Sequence, residues 1–153
     1  MQRILFVCLG NICRSPLVEA VARHELIRAG LDVTVASCGT GAWHAGSGAD
    51  PRMCAAAAWA GYDLTAHQAR QIQADDLKLN DLVLVMDRDN LRDVSRLDCA
   101  QAKAEVGLFL DWARVSPPLD FPDPYYGARA GFTEAVALAE RGVAGLIRRL
   151  RFG

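Results

Sequence analysis

Apolar and polar positions along the chain switch repeatedly between short unbroken apolar runs and longer stretches with helical spacing. Residues 4–9 form the first run, rich in β-formers, and predict a strand buried on both faces. Gly10 and Asn11 then punctuate a loop, with both residues expected to accept the positive φ that a tight wrap demands. Ser15 and Pro16 read as N-cap and first helical position of a helix whose apolar face carries Leu17, Val18, Val21, Ala22 and Leu26, and Gly30 stops it. Residues 33–37 predict a second strand. Asp50 and Pro51 open another helix by the same logic, running through Met53 to Trp59, with Gly61 just past its end. Further strands are expected at 82–86 and within 104–110, a polar helix near 89–97, and a final helix over about 132–150. Pro117, Pro118, Pro122 and Pro124 make 116–127 an irregular loop.

This alternation, unbroken by any repeat or linker, predicts an α/β protein with one domain over residues 1–153. The expected form is a three-layer fold, an open twisted sheet of four parallel strands with helices on both faces. Such sheets bind ligands beyond the carboxyl ends of their strands, where the turn at 8–15 falls. A chain of 153 residues, 52% hydrophobic and 23% charged, is large enough to bury a single core without staples. Lys and Arg number 17 against 18 Asp and Glu, so no basic excess is present to hold nucleic acid or anionic lipid by bulk charge. Any anion must be gripped locally.

The apolar run at 4–10 is interrupted by Asn11 and Arg14 and is too short for a membrane span or a secretory signal, which predicts a cytoplasmic protein. In that compartment five cysteines, at 8, 13, 38, 54 and 99, are not a disulfide framework. No CxxC pair or Cys/His cluster has zinc spacing, so no metal is expected.

The turn Cys8-Leu9-Gly10-Asn11-Ile12-Cys13-Arg14-Ser15 lets a strand end in a short loop that feeds a helix N-terminus. Backbone amides of residues 9–14 converge there with the helix dipole behind them, a cradle suited to phosphate, and Arg14 adds a planar fork for two oxygens. The same positive surroundings favour the thiolate of Cys8. A C-x5-R-[S/T] pattern arises by chance in about one such chain in 30; its place at a strand end, before Ser-Pro, removes most accidental matches. A second motif is Phe121-Pro122-Asp123-Pro124-Tyr125-Tyr126-Gly127. Here a carboxyl group between two prolines, beside two rigid aromatic rings, is placed to hand a proton to a leaving oxygen.

In these motifs and their order the chain resembles the low-molecular-weight protein tyrosine phosphatases. The likeness runs through V-C-L-G-N-I-C-R-S-P at 7–16, S-C-G-T at 37–40, Trp43, Asp50-Pro51-Arg52, G-Y-D-L-T-A-H-Q-A-R-Q at 61–71, V-M-D-R-D-N at 85–90 and D-P-Y-Y-G at 123–127. The resemblance implies hydrolysis of phosphotyrosine and small aryl phosphates with no cofactor: Cys8 as nucleophile, Arg14 as phosphate clamp and Asp123 as general acid. It implies that Leu9, Gly10, Asn11, Ile12, Cys13 and Arg14 bind phosphate, that Asn11, Ser15, Ser37 and His67 form a network fixing the loop, and that Asp87 orients Arg14 or the loop. Leu9, Trp43, Tyr125 and Tyr126 resemble the substrate pocket, and the setting of Trp43 among Gly41, His44, Gly46 and Gly48 reads as an exposed loop. Cys13 matches the family's second cysteine and reads as a redox partner that traps oxidised Cys8 as a disulfide. Cys38 stands where a small residue is expected. A thioredoxin-coupled arsenate reductase is the nearest rival, but it needs two further cysteines, and none lies between Cys54 and Cys99. A module that binds phosphotyrosine without cleaving it would lack the nucleophile or the acid, and both are present.

Overall fold

Alternate residues of the first strand decide where the helices go. The structure, a computed structural model, describes residues 2–153. Strand β1 (Gln2–Cys8) turns Ile4, Phe6 and Cys8 to one face, where they pack with Leu17, Val18 and Val21 of α1 (Arg14–Arg28) and with Ala139 and Val143 of α6 (Arg129–Phe152). Leu5 and Val7 point to the opposite face, against Leu77 of α3 (Asp76–Leu79) and Val94 of α4 (Arg88–Ser95). The period of two along a strand thus divides the core into two layers separated by the sheet.

Three more strands complete the sheet: β2 (Val33–Gly39), β3 (Leu82–Val85) and β4 (Glu105–Leu108). All pair in parallel, in the order β2-β1-β3-β4, with Cys8 opposite Gly39 and Val7 opposite both Cys38 and Val85. The chain leaves β1 toward β2 and returns to place β3 on its other side. The crevice at which the order reverses therefore lies past Cys8. Helix α2 (Pro51–Trp59) packs against α6 on the face that α1 also covers, and α5 (Phe109–Trp112) is a single turn after β4. Among the described residues no helix is long and apolar enough to cross a membrane.

The expected four-stranded parallel sheet with helices on both faces is the observed one. Asp50 caps α2 as expected, its carboxylate accepting from the Arg52 amide at 2.8 Å with Pro51 at the start. Two local expectations need correction. Helix α1 begins at Arg14 rather than after a Ser15 cap; Cys13 is the N-cap, with no side-chain bond, because the Ser15 hydroxyl is turned back into the preceding loop. Asn11 has the positive φ, at 57°, and Gly10 does not. Gly10 is constrained by space instead, since a Cβ there would lie 3.0 Å from the His44 ring. The single turns α3 and α5 are too short to leave a periodic signal.

Helix α6 lies against α5 and the residues after it through a notch made by two glycines. A Cβ at Gly145 would sit 2.3 Å from the Ala113 carbonyl oxygen and 2.9 Å from Val115, and one at Gly142 would sit 2.5 Å from the Phe109 ring. On helix propensity alone Gly145→Ala stabilises by about 1 kcal/mol. Because the obstacle is backbone, the clash outweighs that gain, and the substitution is expected to destabilise by about 1–3 kcal/mol in urea denaturation. A gain in stability would show that α6 can draw away from α5 at no cost.

Candidate active site

The loop from Cys8 to Ser15 is held from outside by its carbonyl groups. Thr40 and Gly41 donate to the oxygens of Cys8 and Leu9, each at 2.9 Å, Asp50 donates to that of Ile12 at 2.8 Å, and His67 Nε2 donates to that of Asn11 at 2.7 Å. A trans peptide is planar, so each carbonyl turned outward turns the next N–H the other way. The amides of Leu9, Gly10, Ile12 and Cys13 are thereby directed inward, and those four residues line a cavity of about 320 Å³ together with Cys8 and Arg14. That converts loop geometry into an anion cradle at the start of α1.

Asn11 is the centre of this arrangement. It is fully buried in the left-handed region, a conformation that Asn tolerates better than most residues. Its Nδ2 donates to Ser15 Oγ at 2.8 Å and to Ser37 Oγ at 3.0 Å, and its Oδ1 accepts from the Arg70 amide at 3.0 Å. Ser15 Oγ lies 3.0 Å from Cys8 Sγ and 3.3 Å from the Cys38 carbonyl, so its single proton has two acceptors in reach. The Asn11 amide donates to Cys8 Sγ at 3.3 Å. The four residues expected to form a network are thus brought together, with the sulfur at its end.

Arg14 is nearly buried. Its Nη1 donates to Asp87 Oδ2 at 2.7 Å and to the Phe121 carbonyl at 3.0 Å, while Nη2 lies 3.6 Å from Asp123 Oδ2. Burial opposes the charged guanidinium, but the Cys8 sulfur and the hydrogen-bonded Asp87 outweigh it and push its proton affinity up. Asp87 is itself immobilised: its Oδ1 accepts from the Asn90 amide at 2.8 Å, and Asn90 Oδ1 accepts from the Asp87 amide at 3.1 Å, a reciprocal cap on α4. Asp123 is fixed by the Tyr125 amide, which donates to its Oδ1 at 3.0 Å.

Trp43, His44, Tyr125 and Tyr126 wall the cavity mouth. Trp43 is 75% exposed and Tyr126 92%, as expected of a rim, and the two tyrosine rings meet edge to face at 4.8 Å. A Cβ on Gly41 would lie 1.8 Å from the Trp43 ring, so the wall stands where it does only because residue 41 is glycine.

The profile of the family described as low molecular weight phosphotyrosine protein phosphatase matches residues 3–152. The chain belongs to that family. A low molecular weight protein-tyrosine-phosphatase of Streptomyces coelicolor is 45% identical over 154 residues, covering 97% of this chain and 93% of that protein. The low molecular weight phosphotyrosine protein phosphatase of Schizosaccharomyces pombe is 44% identical over 133 residues, 85% of each chain. Among solved structures, a protein tyrosine phosphatase from Entamoeba histolytica aligns with a TM-score of 0.91 at 33% identity, over 99% of this chain and 97% of that one. A Drosophila arginine phosphatase aligns with a TM-score of 0.91 at 26% identity, over 99% and 98%.

Several groups at the site of this family member escaped sequence reasoning. Glu19 Oε1 accepts from Ser37 Oγ at 2.6 Å and so extends the network by one link; its place one turn after Ser15 on α1 was the available signal. Arg70 holds Asn11 through its backbone while its side chain pairs with Asp76 through two bonds of 3.0 Å. Gly41 and His44 carry no signal of their own, because their roles arise from what folds over them. Burial pushes the Cys13 and Cys38 thiols well up from their ordinary range, so both stand neutral beside the Cys8 loop.

Substituting the hub tests the network apart from the backbone conformation. Asn11→Gly keeps the left-handed region available but strips Ser15, Ser37 and the Arg70 amide of a partner. It is expected to cost about 1–3 kcal/mol in chemical denaturation, with loss of most activity. Unchanged stability would mean that the buried hydroxyls re-pair freely.

Proposed function

We propose that this chain hydrolyses phosphotyrosine in protein substrates, and small aryl phosphates, by a two-step displacement through Cys8. The observation that carries this reading is the placement of one sulfur inside a ring of inward amides, with a buried guanidinium and a carboxyl group at the same mouth. The Cys8 thiolate attacks phosphorus in line; the S–P bond forms as the P–O bond to the aryl group breaks, and Asp123 gives its proton to the departing oxygen. Arg14 and the amides of Leu9, Gly10, Ile12, Cys13 and Arg14 hold the equatorial oxygens throughout, stabilisation that is in place before reaction begins, while the Asn11 amide donates to the sulfur. Water then attacks the cysteinyl phosphate, Asp123 takes its proton, and the electron pair returns to Cys8, toward which Ser15 turns its hydroxyl.

Trp43, Tyr125 and Tyr126 suit this role because a flat ring slides between aromatic walls and carries its phosphate down to the loop, whereas a phosphoserine side chain is too short to reach. No step requires a metal or an organic cofactor. Cys13 lines the same cavity and serves as the redox partner: peroxide converts the Cys8 thiolate to a sulfenic acid, which condenses with the Cys13 thiol to a disulfide and releases water.

The test is turnover of p-nitrophenyl phosphate and matched phosphotyrosine, phosphoserine and phosphoarginine peptides, with chelator and reductant present. The phosphotyrosine peptide is expected to be cleaved fastest, and Cys8→Ser to lose at least about a thousandfold in kcat while still binding it. After peroxide, thiol reductant should restore the wild type but not Cys13→Ser. Residual turnover by Cys8→Ser near the wild-type rate, or faster cleavage of phosphoarginine, would overturn the proposal.

A further inference from the structure

Arg52 stands beside the site with no part in the steps above. Its guanidinium is gripped by Asp50, with Nε donating to Oδ1 at 3.1 Å and Nη2 to Oδ2 at 2.8 Å. Asp50 is buried, and its own amide donates to the Ile12 carbonyl at 2.8 Å, so the pair is fastened to the loop that holds Cys8. From there the guanidinium reaches two rings. Its carbon lies 4.6 Å from the centroid of Phe132, fully packed in the first turn of α6, and 5.3 Å from that of Tyr125. Tyr125 in turn donates its amide to Asp123 Oδ1. The arrangement is a continuous strut from Ile12 through Asp50, Arg52 and Tyr125 to Asp123.

We infer that Arg52 is a positioning residue for proton transfer: by holding Tyr125 between the Cys8 loop and α6, it sets the place of the Asp123 carboxyl group. The inference rests on the reading of Asp123 as general acid. The segment carrying Asp123 is anchored ahead of it by Arg88, whose side chain and amide bind Asp120 at 3.0–3.2 Å, and by the Phe121 amide donating to Met86 at 2.8 Å. Behind it, Arg52 supplies the corresponding hold on Tyr125. A planar, weakly hydrated cation suits the post because it can bind a carboxylate through two bonds while presenting its face to aromatic rings. A lysine keeps the charge near the rings but cannot do both. The Arg52 hydrogen bonds hold the Asp50 carboxyl group below its ordinary range, so the strut stays ionised well into acid.

A positioning role predicts a dependence on leaving group that a packing role does not. Phenolate needs protonation to depart, whereas p-nitrophenolate needs little. The experiment compares kcat/KM for phenyl phosphate and p-nitrophenyl phosphate in wild type, Arg52→Gln, Arg52→Lys, Asp123→Ala and the double variant Arg52→Gln/Asp123→Ala. Arg52→Gln is expected to lose about tenfold with phenyl phosphate but only about twofold with p-nitrophenyl phosphate, part of what a general acid contributes. Arg52→Lys should fall between Arg52→Gln and wild type. In the Asp123→Ala background the Gln substitution should cost less than about twofold further with either substrate. An unchanged inhibition constant for inorganic phosphate shows that the Cys8 loop is intact, and Arg52→Lys serves if the Gln variant does not fold. Equal losses with both substrates, or an Arg52→Gln loss that persists in full without Asp123, would overturn the inference. Failure of Asp123→Ala itself to discriminate the substrates would overturn the general-acid reading beneath it, a separate and recognisable outcome.

Discussion

An anion cradle made of backbone amides demands that the carbonyls of the same loop find partners elsewhere, and most of the surrounding structure answers that demand. Thr40, Gly41 and Asp50 come from the connection between β2 and α2 and His67 from the one between α2 and α3, and each meets one oxygen of the loop. Unpaired carbonyls in this buried setting would be costly, and free ones could rotate and turn the amides away. The parallel sheet makes the arrangement possible by placing the ends of β1 and β2 side by side, so that the strand carrying Cys8 ends next to the one that supplies its supports.

The buried guanidinium imposes a second demand. A charge taken out of water needs a fixed partner, and Asp87 provides one only because its other oxygen and its amide are locked into the cap of α4. The end of β3 therefore does for Arg14 what the end of β2 does for Cys8. With the Asp123 loop crossing the mouth, the end of β1, the loop after β2 and one proline-bound segment line a volume of about 320 Å³, and the end of β3 holds its arginine from behind. Chemistry at this place follows from the topology; which chemistry follows from the side chains there.

Much of this was legible in the chain. The apolar run of β1 and the C-x5-R-S turn locate the site, and Asp50-Pro51 and the proline-flanked Asp123 mark a cap and a loop that the structure contains. What stayed hidden is what depends on meeting across distance. Ser15 before Pro16 has the look of a helix cap, yet its hydroxyl is drawn to Cys8 and Asn11 once the loop closes. His67 is 56 positions from the carbonyl it holds, so only the family resemblance, and no local pattern, put it in the network, and Gly41 matters only because the Trp43 ring lies on it. Local pattern records propensity and periodicity, whereas these roles are set by tertiary contacts that no window of sequence contains.

The central claim is that Cys8 becomes covalently attached to phosphorus, and direct trapping tests it better than any rate. Protein mixed with an excess of p-nitrophenyl phosphate, quenched in acid within the first turnovers and digested, can be mapped by mass spectrometry. The account predicts phosphate on Cys8, absent from Cys8→Ser and lost with time as free phosphate accumulates. Phosphate on another side chain, or full turnover with no phosphorylated cysteine at any quench time, would contradict it.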